Sequence, residues 1–410
     1  MQTGEKTLWS GRRILVGVCG GIAAYKVCDL VSSLSQKQAQ VRVMLTQGAE
    51  GFIAPLTLAT LARHPAYTDR EFWHHGQGRP LHIELGEWAE AVVIAPLTAN
   101  TLSKMALGLA DNLLTNVVLA TAAPLLLAPA MNTTMWEQPA IQAHWQHLTN
   151  RYWTLAPASG RLACDAVGAG RLPPLPLLEE TLAALLWTGG RQDWQGRQVL
   201  VTGGPTREFW DPVRLLTNPA TGRMGLAVAN AAAARGADVT YIYGGELPAD
   251  PHPRVQRIPI DSAAELLQAL EGVFPRVDTV FMAAAVSDVR PAVFSASKRP
   301  KQDLELLLPL EPVPDLLKLL AQRNQAYAPR KLLIGWAAQT GDPRPAARQK
   351  RLEKGLDAII ANPIDHPQAG FAATTNQGFW ITADQEVALP LTSKIEMAQR
   401  ILDLALTLHR

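Results

Sequence analysis

Residues 12–46 read RRILVGVCGGIAAYKVCDLVSSLSQKQAQVRVMLT. The β-branched run at the start, the glycine turn at Gly20 and Gly21, the apolar residues at helical spacing and the second β-branched run predict strand, helix, strand. A helical crossover leaves its two strands parallel, so this stretch commits the first half of the chain to a helix-covered parallel sheet. Further strands are predicted at AEAVVIAP (89–96) and APLLLAPA (123–130), with one helix over TLSKMALGLADNLLTNVVLATA (101–122) between them. The pattern restarts with RQVLVTGG (197–204), a helix through MGLAVANAAAARGA (224–237) and DVTYIYGG (238–245), then runs on through DTVFMAAAVSD, RKLLIGWAAQ and LDAIIANP. The expected fold class is α/β, with two tandem parallel-sheet, Rossmann-like three-layer domains. A loop-rich segment (157–176), a helix (177–187) and the polar, glycine-containing TGGRQDWQGRQ (188–198) separate them, giving domains at 1–188 and 196–410.

Composition narrows the function classes. The chain has 410 residues, 48% of them hydrophobic, enough for two cores. A net charge of +2, with both signs interspersed, gives neither a nucleic-acid footprint nor a polybasic membrane patch, so small molecules are the expected partners. The three cysteines, Cys19, Cys28 and Cys164, form no C-x-x-C pair, which argues against a disulfide framework or a zinc site and fits a reducing cytosol. MQTGEKTLWSGRR at the start lacks an apolar signal core, and the longest charge-free apolar run, 117–131, contains two prolines and is shorter than the roughly 20 residues a spanning helix needs. A cytoplasmic location is expected.

In open parallel sheets, ligands bind beyond the carboxyl ends of strands. Gly20 and Gly21 lie at such an end, where a phosphate could approach backbone N–H groups, although a tight turn would also need glycine. Their spacing is not G-x-G-x-x-G, so the dinucleotide fingerprint is absent. Thr46 ends the second strand, and Thr98, Asn100 and Thr101 put hydroxyls and an amide at the same rim, where they could also cap helices. His82 could move protons near neutral pH or simply pack; His74 and His75 read as a solvated loop. Asn132 could donate to a carboxylate without adding charge. Met131, Met135 and Trp136 could be core, and Cys164, in a glycine-containing loop, could be a proton donor on a closing flap or an inert thiol.

CGGIAAYK, HIELGEWAEAVVIAPLTANT, GLADNLL, PAMNTTMW and LACDAVGAGRL, in this order, resemble the flavin-dependent decarboxylases of 4'-phosphopantothenoylcysteine. The second half resembles phosphopantothenate-cysteine ligase, so the whole chain resembles the bifunctional enzymes of coenzyme A biosynthesis: a flavodoxin-like flavoprotein half, then a nucleotide-binding ligase half. The resemblance implies FMN against Gly20, Gly21, Ile22, Thr46, Thr98, Asn100 and Thr101. It implies catalytic roles for His82, Asn132 and Cys164, with Asn132 holding the departing carboxylate, Met131 and Trp136 beside the substrate, and Cys164 protonating the late intermediate. Oxidation at the thiol-bearing carbon would create the electron sink that decarboxylation needs, and hydride return would leave no net redox change. Asp165 departs from the family's glycine; an acid there is expected to raise the thiol pKa and stiffen the flap.

In the second half, LVTGGPTREFWDPVRLLTNPATGRMG (200–225) combines glycine turns with Asp211, Arg214 and Asn218, a set that could cradle a nucleotide or form ordinary turns. It matches the ligase motif T-x-E-x-x-D-P-V-R followed by T-N and G-x-M-G. The resemblance implies that Asn218 steadies an acyl-cytidylate, that Lys298 completes the site from a mobile loop, and that Asp288, Lys298 and Lys350 bind nucleotide. CTP would activate 4'-phosphopantothenate for attack by the cysteine amine, with Mg²⁺ managing the triphosphate charge; the metal ligands are unassigned. Departures are ATG at 220–222 for S-S-G, Pro300 in K-x-K-K and Gln339 in G-F-A-x-E-T.

Three alternatives stand beside this reading: a flavin decarboxylase of another cysteine-terminated substrate with an impaired ligase half, a non-catalytic flavin-binding regulatory protein, and an NAD-dependent dehydrogenase, which lacks its fingerprint. By family analogy the chain forms homo-oligomers, trimers through the first half and dimers through the second, building dodecamers.

Overall fold

The computed structural model describes residues 7–73, 78–303, 307–366 and 368–409. His74 and His75 lie outside the described residues. The chain divides into two compact units, residues 1–192 and 193–410.

The first unit is built on a six-stranded sheet of β1 (Arg13–Val18), β2 (Gln40–Leu45), β3 (Ala66–Tyr67), β4 (Ala91–Leu97), β5 (Leu125–Pro129) and β6 (Trp153–Thr154), in the order β3-β2-β1-β4-β5-β6. All neighbours run parallel. Strands buried on both faces read as continuous apolar runs, and β4 is buried along its whole length. Leu15, Ile94 and Leu127 face one core, with Leu85, Leu102, Leu114 and Leu148 from the helices covering that face. Helices Val27–Gln36 and Pro55–Ala62 pack on β2, Leu175–Thr188 packs on β4 and β5, and Val27–Gln36 touches both other helices. The single helix expected over 101–122 is two, Ala99–Leu107 and Leu113–Ala120. Gly108, at φ +72°, ends the first in a left-handed cap, and the Asn112 side chain accepts from the Thr115 N–H to start the second. Part of the segment expected as loop is a hairpin, β7 (Ala158–Arg161) and β8 (Val167–Arg171).

The second unit carries an eight-stranded sheet and two small ribbons, β10 (Arg207–Phe209) with β11 (Leu215–Thr217) and β15 (Val289–Pro291) with β16 (Leu310–Pro312). The sheet strands are β9 (Gln198–Gly203), β12 (Asp238–Gly244), β13 (Val255–Ile260), β14 (Thr279–Met282), β17 (Leu332–Gln339), β18 (Ala358–Pro363), β19 (Thr375–Ile381) and β20 (Glu386–Ser393), ordered β13-β12-β9-β14-β17-β18-β19-β20. Its first six strands repeat the parallel order of the first unit; β19 and β20 add an antiparallel edge. Strand alternation separates two cores: Val199, Val201 and Tyr241 face helices Arg223–Ala234 and Lys394–Leu408, whereas Leu200, Ile242 and Val280 face Ala263–Val273, Leu316–Asn324 and Arg344–Lys354. Among the described residues no helix is long and apolar enough to cross a membrane.

Candidate functional site

The strand order of the first sheet reverses between β1 and β4, and the loops leaving these strands diverge there. A cavity of about 980 Å³ opens at this point. Gly20, Gly21, Ile22, Thr46, Thr98, Asn100 and Thr101 all line it. The two glycines do different work. A β-carbon on Gly20 would meet the Gly48 backbone at 2.5 Å, so Gly20 lets two loops touch; one on Gly21 would meet only the Thr98 methyl, at 3.8 Å. Gly21 therefore keeps the wall open. Thr98 caps the following helix, accepting from the Thr101 N–H at 3.4 Å, and Thr101 is buried beneath it. Cys19 lies under this floor, fully buried, where burial pushes its thiol up despite hydrogen bonds from Thr101 and Thr98.

Asn132 follows β5 as the cap of the short helix Thr133–Trp136. Its Oδ1 accepts from the Thr134 N–H at 2.8 Å. An N–H can meet only an acceptor, so this bond fixes which end of the amide is which and leaves Nδ2 as a donor toward the cavity. Nδ2 donates to Cys164 Sγ at 3.2 Å.

Cys164 is delivered by the β7–β8 hairpin, whose tip closes through Asp165 N–H to Leu162 O at 3.0 Å and Leu162 N–H to Ala166 O at 2.8 Å. The hairpin is tied down by the Met131 N–H, which donates to Gly170 O at 2.9 Å; a β-carbon on Gly170 would stand 2.2 Å from the Met131 carbonyl. Asp165 takes the left-handed position of the tip at φ +63°, where glycine costs least. Asp165 does push the Cys164 thiol up, as expected, but it is outweighed. The Ala166 N–H and the Asn132 amide hold the Cys164 thiol below its ordinary value, and the opposing charge of Asp165 is the smallest influence. That carboxylate is engaged by Arg161, at 3.0 Å from Nε and 2.6 Å from Nη2.

Met131 lines the cavity, but Trp136 and His82 are not in its wall. Trp136 packs edge-on against Trp145, ring centroids 5.4 Å apart, as core. Met135, for which the sequence left core packing open, is 47% exposed and lines the cavity; its position three residues after the cap, on the turn that carries Asn132, is the signal that could have placed it there. His82, the second residue of helix Leu81–Trp88, sets its ring edge-on to Phe72, and among the described residues its buried Nδ1 has no hydrogen-bond partner. Arg161 and Arg171, one on each hairpin strand, also line the cavity and were not singled out.

In the second unit the corresponding switch lies between β9 and β14. The loops leaving them are bound together: Ala285 N–H donates to Gly204 O at 2.9 Å, and Thr206 N–H and Asn218 Nδ2 donate to Ala285 O, each at 3.2 Å. Asn218 thus stands at the switch with its Nδ2 committed to that carbonyl. Asp211 is no surface charge. Its carboxylate is screened from solvent by its own loop, and although desolvation works against ionisation, the Val213 and Arg214 N–H groups and the Arg214 guanidinium hold it below the usual carboxylate range. Arg214 Nη1 also donates to Arg299 O at 3.2 Å, and the Ser295 N–H to Trp210 O at 2.8 Å, so the lysine loop hangs on the β10–β11 ribbon. Lys298 is exposed on that loop, Asp288 is exposed just before β15, and Lys350 is exposed on helix Arg344–Lys354. Thr221, of the departing ATG, donates to Phe371 O at 2.7 Å. Lys394 donates to Gly370 O and Phe371 O at 3.0 and 3.4 Å; burial first, and then the charge of Arg223, lower its pKa to about 8. Among the described residues no group of three or more His, Cys, Asp or Glu side chains is arranged to hold a metal ion.

Comparison with known proteins covers both units. Residues 3–186 match the Flavoprotein family model, and residues 194–408 match the model of the DNA/pantothenate metabolism flavoprotein C-terminal domain. The chain is 38% identical over 404 residues to the Coenzyme A biosynthesis bifunctional protein CoaBC of Bacillus subtilis strain 168, covering 96% of each. It is 36% identical over 400 residues to the protein of the same name from Escherichia coli strain K12, again covering 96% of each. Among solved structures, the FMN binding protein AtHal3 is 37% identical, with 43% of this chain and 95% of that one covered, at a TM-score of 0.38.

Proposed function

The chain belongs to the family of bifunctional coenzyme A biosynthesis proteins, a flavoprotein domain followed by a DNA/pantothenate metabolism flavoprotein C-terminal domain, and on that premise we propose that it catalyses two consecutive steps. The second unit condenses 4'-phosphopantothenate with cysteine through an acyl-cytidylate at the expense of CTP; the first decarboxylates 4'-phosphopantothenoylcysteine to 4'-phosphopantetheine. The observation that carries the reading is the contact between Asn132 Nδ2 and Cys164 Sγ inside a cavity at the sheet's switch point.

A cavity of about 980 Å³ at this topological position, with the wall left open at Gly21, fits FMN. FMN, when bound, supplies the reversible hydride exchange that makes the neighbouring carbon–carbon bond breakable. The chain's own residues do the rest. The Asn132 amide donates to the carboxylate but, being neutral, holds it without the strong ground-state stabilisation a cation would give. The Cys164 thiol, acidified by its neighbours and within reach of the same amide, delivers a proton where carbon dioxide has left.

In the second unit Asn218, at the switch, steadies the acyl-cytidylate, Lys298 closes over it, and Asp288 and Lys350 contact the nucleotide. Mg²⁺ arrives with the triphosphate oxygens, in keeping with the lack of a three-ligand protein cage among the described residues. We place the enzyme in the cytoplasm, in keeping with three free cysteines, and assign it trimers through the first unit and dimers through the second, together a dodecamer. Exposed apolar side chains such as Leu56 and Trp73 support association of the first unit. His82, outside its own cavity wall, would then serve the cavity of a neighbouring copy.

The test is product analysis by mass spectrometry after incubating the purified protein with 4'-phosphopantothenate, cysteine, CTP and Mg²⁺, with CTP omitted in the control. CTP-dependent 4'-phosphopantetheine is expected. Accumulated 4'-phosphopantothenoylcysteine would remove the decarboxylase half of the reading. Failure to form either, with supplied 4'-phosphopantothenoylcysteine still decarboxylated, would remove the ligase half.

A further inference from the structure

Arg161 and Arg171 share the cavity with Asn132 and Cys164, and the chemistry assigned above uses neither. Arg161 is neutralised by Asp165 at 2.6 Å. Among the described residues no carboxylate pairs with Arg171. Its guanidinium is nevertheless placed: where a β-carbon would stand on Gly160, at φ +143°, Arg171 Nη1 lies 2.6 Å away and its Cδ 3.2 Å away. The hairpin gives up a side chain at residue 160 so that the guanidinium of residue 171 lies back across β7. On the opposite side of the sheet's switch, Lys104 is paired with Asp111 at 2.7 Å, and Lys26 follows Gly21 on the wall assigned to the cofactor.

We propose that Arg171, assisted by Arg161, is the subsite for a phosphomonoester, namely the 4'-phosphate of the substrate. The inference rests on the decarboxylase reading and deepens it. That substrate carries two anions with different fates. Its carboxylate is destroyed in the reaction, and a cation there would stabilise the ground state against the loss of carbon dioxide; its phosphate does not react, so a cation there holds substrate and transition state alike. A neutral amide at one end and a guanidinium at the other match this division. A phosphomonoester carries between one and two negative charges near pH 7, and the planar fork of arginine meets its oxygens two at a time. Asp165 competes for Arg161, so Arg171 carries most of the recognition in this chain.

The experiment compares kcat/KM for 4'-phosphopantothenoylcysteine and for pantothenoylcysteine in the flavin-loaded full chain, with flavin absorbance recorded for each variant. Arg171→Gln should lower kcat/KM for the phosphorylated substrate by about 10- to 100-fold, mainly through KM, and lower that for the unphosphorylated one far less. Arg171→Lys, which keeps the charge and loses the fork, should fall between. Asp165→Gly, which releases Arg161, should widen the preference for the phosphorylated substrate. Equal losses on both substrates, loss of flavin from the Arg171 variants, or an unchanged preference would each overturn the subsite. If the wild type decarboxylates both substrates equally well, the subsite is wrong and the decarboxylase reading stands; if it decarboxylates neither, the reading fails and the subsite with it.

Discussion

At the switch between β1 and β4 the first unit leaves an open volume and roofs it with its own hairpin, so that Asn132, Cys164 and the glycine turn meet in one cavity. The second unit repeats the strand order, yet spends its switch differently. The loops after β9 and β14 bind each other through Gly204, Thr206, Asn218 and Ala285, while Asp288, Lys298 and Lys350 remain exposed. One topology thus supports a cavity roofed by the unit's own hairpin and a proposed site whose charged members stand in solvent. The difference comes from the additions, a hairpin docked on Met131 in one case and two ribbons carrying a lysine loop in the other. Chemistry that needs a held carboxylate and a timed proton suits the first; handling a triphosphate, with a large hydrated charge to admit and release, suits the second.

The largest effect should come from reversing the one donor on which the closed site depends. Asp caps a helix about as well as Asn, so Asn132→Asp keeps the bond to the Thr134 N–H but presents an oxygen where Nδ2 stood. Decarboxylation is expected to fall roughly 100- to 1,000-fold, with a thermal unfolding midpoint close to wild type and CTP-dependent ligation intact. A large loss of thermal stability would show that the amide is mainly structural and erase the contrast between the two sites.

For the open site the equivalent move is to cut the tether. Arg214→Ala removes the bond to the Arg299 carbonyl and strips the screened Asp211 of the guanidinium that pairs with it. Ligation should fall about tenfold or more, while decarboxylation of supplied 4'-phosphopantothenoylcysteine is unchanged. A parallel loss in both activities would show that the units do not work independently.

How far these features could be read in advance follows the same division. Strand periodicity in 12–46 and 197–245 was sufficient for both sheets, because strands buried on two faces must be apolar throughout. It was insufficient for β19 and β20, whose mixed burial carries no crossover signal, and for the break at Gly108, where a single left-handed cap outweighs a helical pattern that otherwise continues. Residues on strand ends, Gly21, Thr46, Asn100 and Asn132, fell where the sheet rule places them. Trp136 did not, because a four-residue helix turns neighbouring side chains to opposite sides, and periodicity over so few residues does not say which side faces the ligand. The left-handed tip at Asp165 and the guanidinium folded over Gly160 are matters of backbone conformation and cross-strand packing, neither of which leaves a mark in composition or spacing.

A smaller, pH-dependent difference separates the units. Lys394 in the second unit titrates at about 8 when folded, against 10.5 ordinarily. Between these values the unfolded chain holds a proton that the folded chain has released, so raising the pH through this window favours the folded state; below it, both are protonated and the buried charge is a standing cost. Lys394→Met should flatten the rise of the second unit's urea midpoint from pH 8 to 10.5. A slope identical in the variant would assign the rise to other groups.

The smallest expected effect tests whether the departure from glycine weakens the roof. At φ +63° Asp165 bears a steric cost of roughly 1 kcal/mol relative to glycine, the low end for a residue that visits this region. Its exposed pair with Arg161 returns at most a few tenths, since both side chains are about three-quarters in solvent. The balance favours glycine, so Asp165→Gly should stabilise the closed hairpin by up to about 1 kcal/mol, seen as slower proteolytic nicking at the tip. The same change removes the one carboxylate that opposes ionisation of Cys164. The pH profile for alkylation of that thiol should therefore move to lower pH, by less than Asn132→Ala moves it up, because the amide contributes more than the acid to the thiol's acidity. Slower alkylation at every pH, without a displaced profile, would mean that the roof has tightened while the thiol's environment is unaltered, and the role of Asp165 would then be conformational alone.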